Sequence, residues 1–439
     1  MAINLSRNTK VYYTTVTSGF NSNNTTEIQV TADYSFSQNT EQQTITLNEA
    51  GATPTRGQRS FNTKLAPVDW SFAMYVRPYA LTAKTATATA ATAATVSGVV
   101  TATITSAGHT FVVGDEVEAD TVLPEGSVVV QAVTSSTFTI VTEEAALDLS
   151  TATFTSVTKV TAGERLFWNT LASANAIGEI GAGWVESAPT AIANFTNSNV
   201  HQLSSFNLIF KTDTSAYLVQ NCSINQAEVS FAIDQIAMIN FSGNGTVISG
   251  VDTTGLAQLA NIAPAGTILE DNSAGFITNK LSIITIEDPI AVKSYNVPIT
   301  GGTLTINNNI QYLTPDVLGV VNKPVTYFTG TRAISGSLNA YLRAGNTGDA
   351  SDLYTDLTAD AVNSPDNLFK LVLKMGGGTG QRVEFELPYT MLQIPTIDVQ
   401  DVISTTINFT AQGGTGTTTT SAFDITAANE LTATYYPAA

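Results

Sequence analysis

The sequence predicts a mainly β protein with two tandem sandwich or barrel domains, each with one short flanking helix, and a small inserted β-domain. Three observations lead to this fold class. Short segments rich in Thr, Val, Ile, Phe and Tyr alternate apolar with polar residues and are separated by Gly, Asn, Asp and Pro. Four segments of the first half recur in the same order in the second half. The spacing between two of these segments is much longer in the first half than in the second.

The alternating segments are typical of antiparallel strands that bury one face. The pattern is clear in residues 71–77 (SFAMYVR), 206–211 (FNLIFK) and 383–387 (VEFEL). In the first of these, Phe72 and Met74 share a face because successive side chains of a strand point in opposite directions. Helical periodicity is scarce along the chain.

The internal matches indicate a duplicated fold. They pair residues 71–77 (SFAMYVR) with 337–343 (SLNAYLR), 166–171 (LFWNTL) with 352–357 (DLYTDL), 206–211 (FNLIFK) with 369–374 (FKLVLK), and 239–243 (INFSG) with 407–411 (INFTA). One such match is weak evidence, because short β segments resemble one another. Four matches in the same order are hard to explain without a repeat.

The matches also predict the domain boundaries. Residues 1–81 and 161–250 are expected to form the first domain, residues 251–274 a linker, and residues 275–439 the second domain. The extra length of the first copy lies between its first and second matches. We therefore expect residues 82–160 to form an inserted small β-domain on the outer surface.

The second match is the predicted helix of each domain. Phe167 and Leu171 stand four residues apart, as do Leu353 and Leu357, so each pair would form an apolar stripe on one helix face. The sequence therefore predicts a β-sandwich with one short helix beside it, twice.

Composition excludes several function classes. The chain of 439 residues carries 18 Lys and Arg against 36 Asp and Glu, a net charge of −18, which argues against a nucleic-acid-binding protein. The two histidines, His109 and His201, and the single cysteine, Cys222, offer no zinc cluster and no intrachain disulfide. We expect no catalytic site, no cofactor and no metal.

The order of strands, helix and further strands, together with the opening residues 4–12 (NLSRNTKVY), resembles the tail tube proteins of long-tailed bacteriophages. The resemblance covers both copies, whereas the insert resembles small β-domains that decorate phage tails. It implies a virion structural protein that polymerises into stacked rings and forms the conduit through which double-stranded DNA is ejected. Two fused copies in one chain imply homotrimeric rings of pseudo-sixfold symmetry, with a six-subunit ring as the alternative.

The partners implied by the resemblance are further copies of this chain, the tape measure protein, the terminator and, in a contractile tail, a sheath. DNA would pass without specific binding. The expected location is the phage tail, assembled in the host cytoplasm without membrane association. An alternative from another class is a β-rich phage decoration protein or bacterial surface adhesin, with the insert as its binding domain.

An acidic channel wall would repel the phosphates of passing DNA. Acids in or beside strand-like segments are the candidates for this wall: Asp33, Glu228, Asp234, Glu384, Glu386, Asp398 and Asp401. The same residues also fit ordinary polar positions on the outer surface, and the sequence leaves both interpretations open. Arg77 and Arg343 occupy matching places after an alternating strand and are candidates for a contact between rings or copies, or for a solvated strand end.

Overall fold

The computed structural model describes the following residues: 9–21, 24–31, 33–45, 59–77, 81–96, 99–109, 111, 116–118, 128–142, 149–159, 164–175, 177, 179, 182–187, 190–196, 203–262, 277–288, 292–343, 347–363, 368–378, 382–398, 403–412 and 429–436. Strands dominate this part of the chain, which confirms the mainly β prediction. Among these residues, no helix combines the length and apolarity that crossing a bilayer demands.

The strands before and within the insert are β1 (Lys10–Thr14), β2 (Thr25–Ile28), β3 (Tyr34–Ile45), β4 (Arg59–Tyr75), β5 (Leu81–Thr87), β6 (Ala90–Val96), β7 (Val99–Thr105), β8 (Glu116–Glu118), β9 (Val128–Val133), β10 (Thr137–Thr142) and β11 (Thr153–Lys159). The chain continues with α1 (Glu164–Ala172), β12 (Trp184–Ser187), β13 (Thr190–Thr196), β14 (Phe206–Lys211), β15 (Ala216–Ala232), β16 (Met238–Gly245), β17 (Val247–Gly250) and α2 (Thr253–Leu259).

The second half begins with a 3₁₀ turn (Asn279–Leu281). Its further elements are β18 (Ile283–Asp288), β19 (Lys293–Tyr295), β20 (Ile299–Asn307), β21 (Gln311–Leu313), β22 (Thr326–Phe328), β23 (Ala333–Tyr341), α3 (Ala350–Asn363), β24 (Leu368–Met375), β25 (Arg382–Leu392), β26 (Thr396–Asp398), β27 (Ser404–Ala411) and β28 (Asn429–Tyr436).

One antiparallel sheet runs through both halves of the body, by which we mean the chain without the insert. Its strand order is β3-β4-β16-β15-β20-β23-β27-β26. We call it the long sheet. Only the C-terminal half of β15 belongs to it, because the N-terminal half of the same strand pairs elsewhere.

Two further sheets, the flanking sheets, pack against the long sheet. The first has the order β2-β1-β14-β15-β17 and uses the N-terminal half of β15. The second has the order β19-β18-β24-β25-β28-β13-β12. Strand β13 comes from the first half of the chain, so the halves are joined in the flanking layer as well as in the long sheet.

The two halves repeat the same strand pairing. Strands β1, β2, β3, β4, β14, β15, β16 and β17 correspond in order to β18, β19, β20, β23, β24, β25, β27 and β28. The ladders even share an irregularity. The β14–β15 register shifts between Phe206 and Leu208, and the β24–β25 register shifts between Phe369 and Leu371. These four residues lie in the third sequence match.

Side-chain hydrogen bonds recur at matching places too. The Cys222 thiol donates to the Val219 carbonyl at 3.4 Å, and the Thr390 hydroxyl donates to the Leu387 carbonyl at 3.4 Å. Cys222 therefore occupies a position that a threonine fills in the second half, as a small buried residue.

Equivalent backbone bonds fix how the halves correspond after the first match. Val76 N–H donates to the Ala237 carbonyl at 2.9 Å, and Leu342 N–H donates to the Ile403 carbonyl at 3.1 Å. These bonds make Ala237 the counterpart of Ile403. From this anchor the correspondence of β16 with β27 can be counted residue by residue.

The fourth sequence match is displaced by two residues from this correspondence. The counterpart of Ile407 is Phe241, whereas the sequence match aligned Ile407 with Ile239. A slip of two residues leaves every side chain on its original face, so the alternating pattern does not detect it.

The two halves keep the same core packing at one place although a large and a small residue are exchanged. Trp70 pairs with Gly243 across β4 and β16, and at the matching place Gly336 pairs with Phe409 across β23 and β27. A Cβ on Gly243 would lie 2.7 Å from the Trp70 ring, and a Cβ on Gly336 would lie 2.5 Å from the Phe409 ring. Each pair thus holds one aromatic ring over one glycine, in opposite order.

Both predicted helices are present and pack as expected. Phe167 and Leu171 of α1 and Leu353 and Leu357 of α3 are buried in the core that the two layers enclose. The helices extend beyond the predicted segments at both ends. The linker contains a helix that the sequence analysis missed, α2, whose first turn is capped by the Asp252 carboxylate accepting from Gly255 N–H at 2.7 Å.

Strands β5 to β11 form a sheet of their own in the order β5-β11-β8-β9-β10-β7-β6. Its core is separate from that of the body and contains Ile104, Phe138, Ile140 and Phe154. Phe138 and Phe154 pack edge to face with centroids 5.1 Å apart. Among the described residues, this apolar core is built by the insert alone.

We expect Gly336→Ala to lower the free energy of unfolding by about 1–3 kcal/mol, because overpacking a filled core costs energy of this order. The added methyl group would lie 2.0 Å from the Thr303 carbonyl oxygen, besides meeting Phe409. Urea unfolding followed by tryptophan fluorescence measures the effect. Gly250→Ala is the control, because a Cβ there meets no atom within 4 Å. Equal midpoints for the two variants would contradict the steric argument.

Candidate functional site

The surface of the long sheet that faces away from the core is polar. We call it the polar sheet face; it consists of the outward residues of segments 34–38, 69–75, 226–232, 238–244, 301–307, 333–341, 396–398 and 404–410. Hydroxyl and amide side chains dominate it, among them Ser35, Ser71, Ser230, Asn240, Thr303, Thr305, Ser337, Asn339, Thr406 and Asn408. Matching hydroxyl pairs link its strands, Ser35 with Ser71 at 2.9 Å and Thr303 with Ser337 at 3.3 Å.

The polar sheet face carries no positive charge. Its eight segments contain neither Lys nor Arg, and their only acids are Asp69, Glu228 and Asp398. The Asp69 carboxylate accepts a hydrogen bond from the Asn244 side chain at 2.6 Å. The whole face is therefore either neutral or negative.

The flanking sheets, in contrast, carry several lysines that pair with acids. The ion pairs are Lys10–Glu27 at 2.8 Å, Lys370–Glu386 at 2.5 Å and Lys374–Glu384 at 3.5 Å, and Lys293 approaches Asp356 of α3 at 2.5 Å. The long sheet carries an ion pair as well, Lys64–Glu41 at 3.2 Å, on the parts of β3 and β4 outside the polar sheet face. The polar sheet face itself differs from the flanking sheets because it has acids but neither Lys nor Arg.

The structure divides the predicted wall acids into two groups. Asp33 and Glu228 line one shallow groove on the polar sheet face. Asp398 stands on the last strand of this face, and exposed Asp234 lies in the turn after β15. Asp401 lies outside the described residues.

Glu384 and Glu386 form the second group, on the flanking layer. They share a face of β25, as their spacing predicts, but that face is the one with the lysines of β24. Sequence reasoning missed Asp69, the acid that the structure adds to the face. The sequence did indicate the orientation of this residue. Asp69 precedes Trp70 in an alternating segment, so its side chain must point away from the side that buries Trp70.

The two matched arginines both contact the helix of their own half. Arg77 N–H donates to the Glu164 carboxylate at the first residue of α1, at 3.1 Å, and the Arg77 guanidinium donates to Gln29. The Arg343 guanidinium donates to the Asp349 carboxylate, just before α3, at 2.6 Å. These contacts join α1 to the end of β4 and α3 to the end of β23. A role between subunits stays a prediction.

A buried polar chain links α1 to the last strand of the body. The Trp168 indole N–H donates to the Tyr435 hydroxyl at 2.7 Å. Burial raises the pKa of Glu164 to about 8, although the Arg77 N–H and the Tyr435 hydroxyl partly oppose this shift. Glu164 is therefore mostly protonated at neutral pH.

The part of the protein that the structure describes shows no candidate metal centre. There, no group of three or more His, Cys, Asp and Glu side chains could hold a metal ion. Burial raises the pKa of the Cys222 thiol far above its ordinary value, which keeps the thiol protonated.

Comparison with known proteins identifies the family. No family model matches the chain. Its sequence is 30% identical over 426 residues to the tail tube protein pb6 of Escherichia phage T5, and the match covers 94% of this chain and 73% of the relative. The chain belongs to the tail tube proteins of long-tailed bacteriophages. It is a structural subunit of the tail tube and a component of the virion tail, which favours the leading hypothesis over the decoration or adhesin alternative.

Glu164 should make the stability of this tail tube subunit fall as pH rises. An unfolded chain releases the proton near pH 4.5 and the folded chain near pH 8, so between these values the unfolded state binds fewer protons. We expect the unfolding midpoint of the wild type to decrease as the pH is raised from 5 to 8. Glu164→Gln, which mimics the protonated acid, should show a smaller fall. Identical slopes for the two proteins would contradict the burial argument.

Proposed function

We propose that the chain polymerises into stacked rings and that the polar sheet face lines their lumen, through which double-stranded DNA leaves the virion. The role is structural, and we expect no catalytic activity. Other tail proteins would contact the ends and the outside of the tube, among them a tape measure protein, a terminator and, in a contractile tail, a sheath. DNA would pass without specific binding.

The observation that carries the proposal is the difference in charge between the polar sheet face and the flanking sheets. DNA presents about one negative charge per 1.7 Å of its axis, so any lysine or arginine on a channel wall would attract phosphates. The polar sheet face has none of these residues, while the flanking sheets have several. Of the two surfaces, only the polar sheet face would let DNA slide without ionic attachment.

The repeated strand pairing supports a ring of three chains. We propose that residues 1–81 with 161–250 and residues 275–439 are two copies of one fold, joined by residues 251–274 and interrupted by residues 82–160. Each chain would then supply two of six similar positions around the channel. The insert has its own core and would lie outside the tube wall.

An exposed apolar hairpin supports polymerisation. Strands β21 and β22 pair with each other, and the segment between them exposes Val317, Leu318, Val320, Val321 and Val325. Leu318 is fully exposed at 101%. Contiguous apolar surface of this kind marks contacts between proteins. We propose that it is covered by another subunit in the assembled tube.

Negative-stain electron microscopy of the purified protein tests the proposal. We expect hollow rings or tubes, with threefold symmetry in end views. A stable monomer that binds glycans and never assembles would refute the proposal and favour the adhesin alternative.

Charge reversal on the polar sheet face tests which surface lines the channel. We expect phage assembled with Glu228→Lys to form tails but to release DNA several times more slowly, because each ring would present cations to the phosphates. Release is measured by the fluorescence of a DNA dye after ejection is triggered. Asp213→Lys, in the exposed turn between β14 and β15 on the flanking layer, is the control. Equal release rates for the two variants would place the lumen elsewhere.

A further inference from the structure

A cavity of about 270 Å³ lies between the end of β15, the start of β20 and the 3₁₀ turn that leads into β18. We call it the Asn279 pocket. Pockets for drug-sized ligands occupy about 300–1,000 Å³, so this one suits a ligand about as large as one amino-acid residue with its peptide bond. Gly301 near the start of β20 lines it, whereas the β21–β22 hairpin follows the other end of that strand. The pocket is therefore separate from the apolar hairpin proposed above as a contact between subunits.

Asn279 lines this pocket with a buried side chain that lacks a hydrogen-bond partner. Its backbone is held in place, because Asn279 N–H donates to the Gln235 carbonyl at 3.1 Å and Ser282 N–H donates to the Asn279 carbonyl at 2.9 Å. Asn279 is only 5% exposed, yet within the described part of the chain neither its Oδ1 nor its Nδ2 is hydrogen-bonded. Buried amides are normally paired, because an unmade hydrogen bond costs free energy. The pocket thus offers a donor and an acceptor to a ligand that carries both.

Lys280 gives the pocket a positive charge. Among the described residues that line the pocket, it is the only charged one, and no acid stands beside it in the lining. Lys280 is exposed and makes no ion pair with any described residue. The chain as a whole carries a net charge of −18. A lysine without an acid next to an unpaired amide therefore indicates a ligand that combines an amide with a negative charge.

The remaining lining includes apolar side chains of two kinds. Phe231 and Val297 are buried, whereas Ile233 and Ile283 are 48% and 46% exposed. The buried pair would contact an apolar side chain of the ligand inside the pocket. The two exposed isoleucines would contact groups that continue the ligand beyond the pocket. This arrangement favours the end of a polypeptide over a small molecule that the pocket encloses completely.

We propose that the Asn279 pocket binds the carboxyl-terminal residue of another polypeptide, with an apolar side chain at that last position. The Asn279 amide would donate to the carbonyl and accept from the N–H of the ligand's last peptide groups, and the Lys280 ammonium would pair with the terminal carboxylate. Capture of a terminal carboxylate is a recurring mode of peptide recognition. A free amino acid fits less well, because its own ammonium group would lie near Lys280. This inference goes beyond tube assembly and does not depend on it.

Fluorescence anisotropy with the full-length protein and a labelled hexapeptide of glycine and serine that ends in leucine tests the proposal. The peptide with a free carboxylate should bind, and its amidated form should bind several times more weakly. Lys280→Gln should remove this preference for the free carboxylate. Lys323→Gln, which changes an exposed lysine between β21 and β22, is the matched control and should keep it. N-acetyl-leucine should compete about tenfold more weakly than the unlabelled peptide, because it does not reach Ile233 and Ile283.

Asn279→Leu separates a role in binding from a structural role. It replaces an unpaired amide by an apolar group of similar size, so the urea midpoint should not fall below that of the wild type, while peptide binding should weaken about tenfold. Asn279→Asp is the second variant, because its negative charge would repel the carboxylate and should also weaken binding.

Three results would overturn the proposal. The first is a lower midpoint for Asn279→Leu with unchanged peptide binding, which would assign Asn279 a structural role. The second is equal binding of the free and amidated peptides by the wild type, or no binding at about 1 mM peptide. The third is equal competition by N-acetyl-leucine, which would exclude a polypeptide as the required ligand. None of these measurements depends on tube formation, so the proposed function stands or falls separately.

Discussion

Backbone hydrogen bonding along β15 holds this architecture together. The N-terminal half of the strand belongs to a flanking sheet, and its C-terminal half pairs with β16 and β20 in the long sheet. One strand therefore joins two layers and two halves, and the backbone groups that it pairs would otherwise be exposed edges.

The core shows how a duplicated fold can diverge without losing its packing. Between matching strands, Trp70 over Gly243 is replaced by Gly336 under Phe409. Protein interiors are close-packed, so a change in one residue's volume must be compensated by its neighbours. Here the compensation lies directly across the ladder.

Some features could be predicted from sequence because they depend on local periodicity. The stripe of Phe167 and Leu171 predicted α1, and the third match aligned β14 with β24 in agreement with the register shift that their ladders share. Other features depend on distant contacts. The match of Ile239 with Ile407 was displaced by two residues, since a period of two is blind to that slip. Glu384 and Glu386 share a face as their spacing indicates, yet which layer carries that face depends on the pairing of β25 with β24.

The sequence by itself determined the mainly β class, the tandem matches and the shortage of positive charge, because composition and alternation are properties of the linear chain. Only the tertiary structure decided which surfaces carry the few lysines and arginines. Lysines recur in segments that look like any other strand. Nothing local shows that β14, β18 and β24 belong to the flanking sheets, whereas β4, β23 and the C-terminal half of β15 belong to the long sheet. Strand pairing between distant residues makes that assignment, since it alone specifies which alternating faces lie side by side and become one continuous surface.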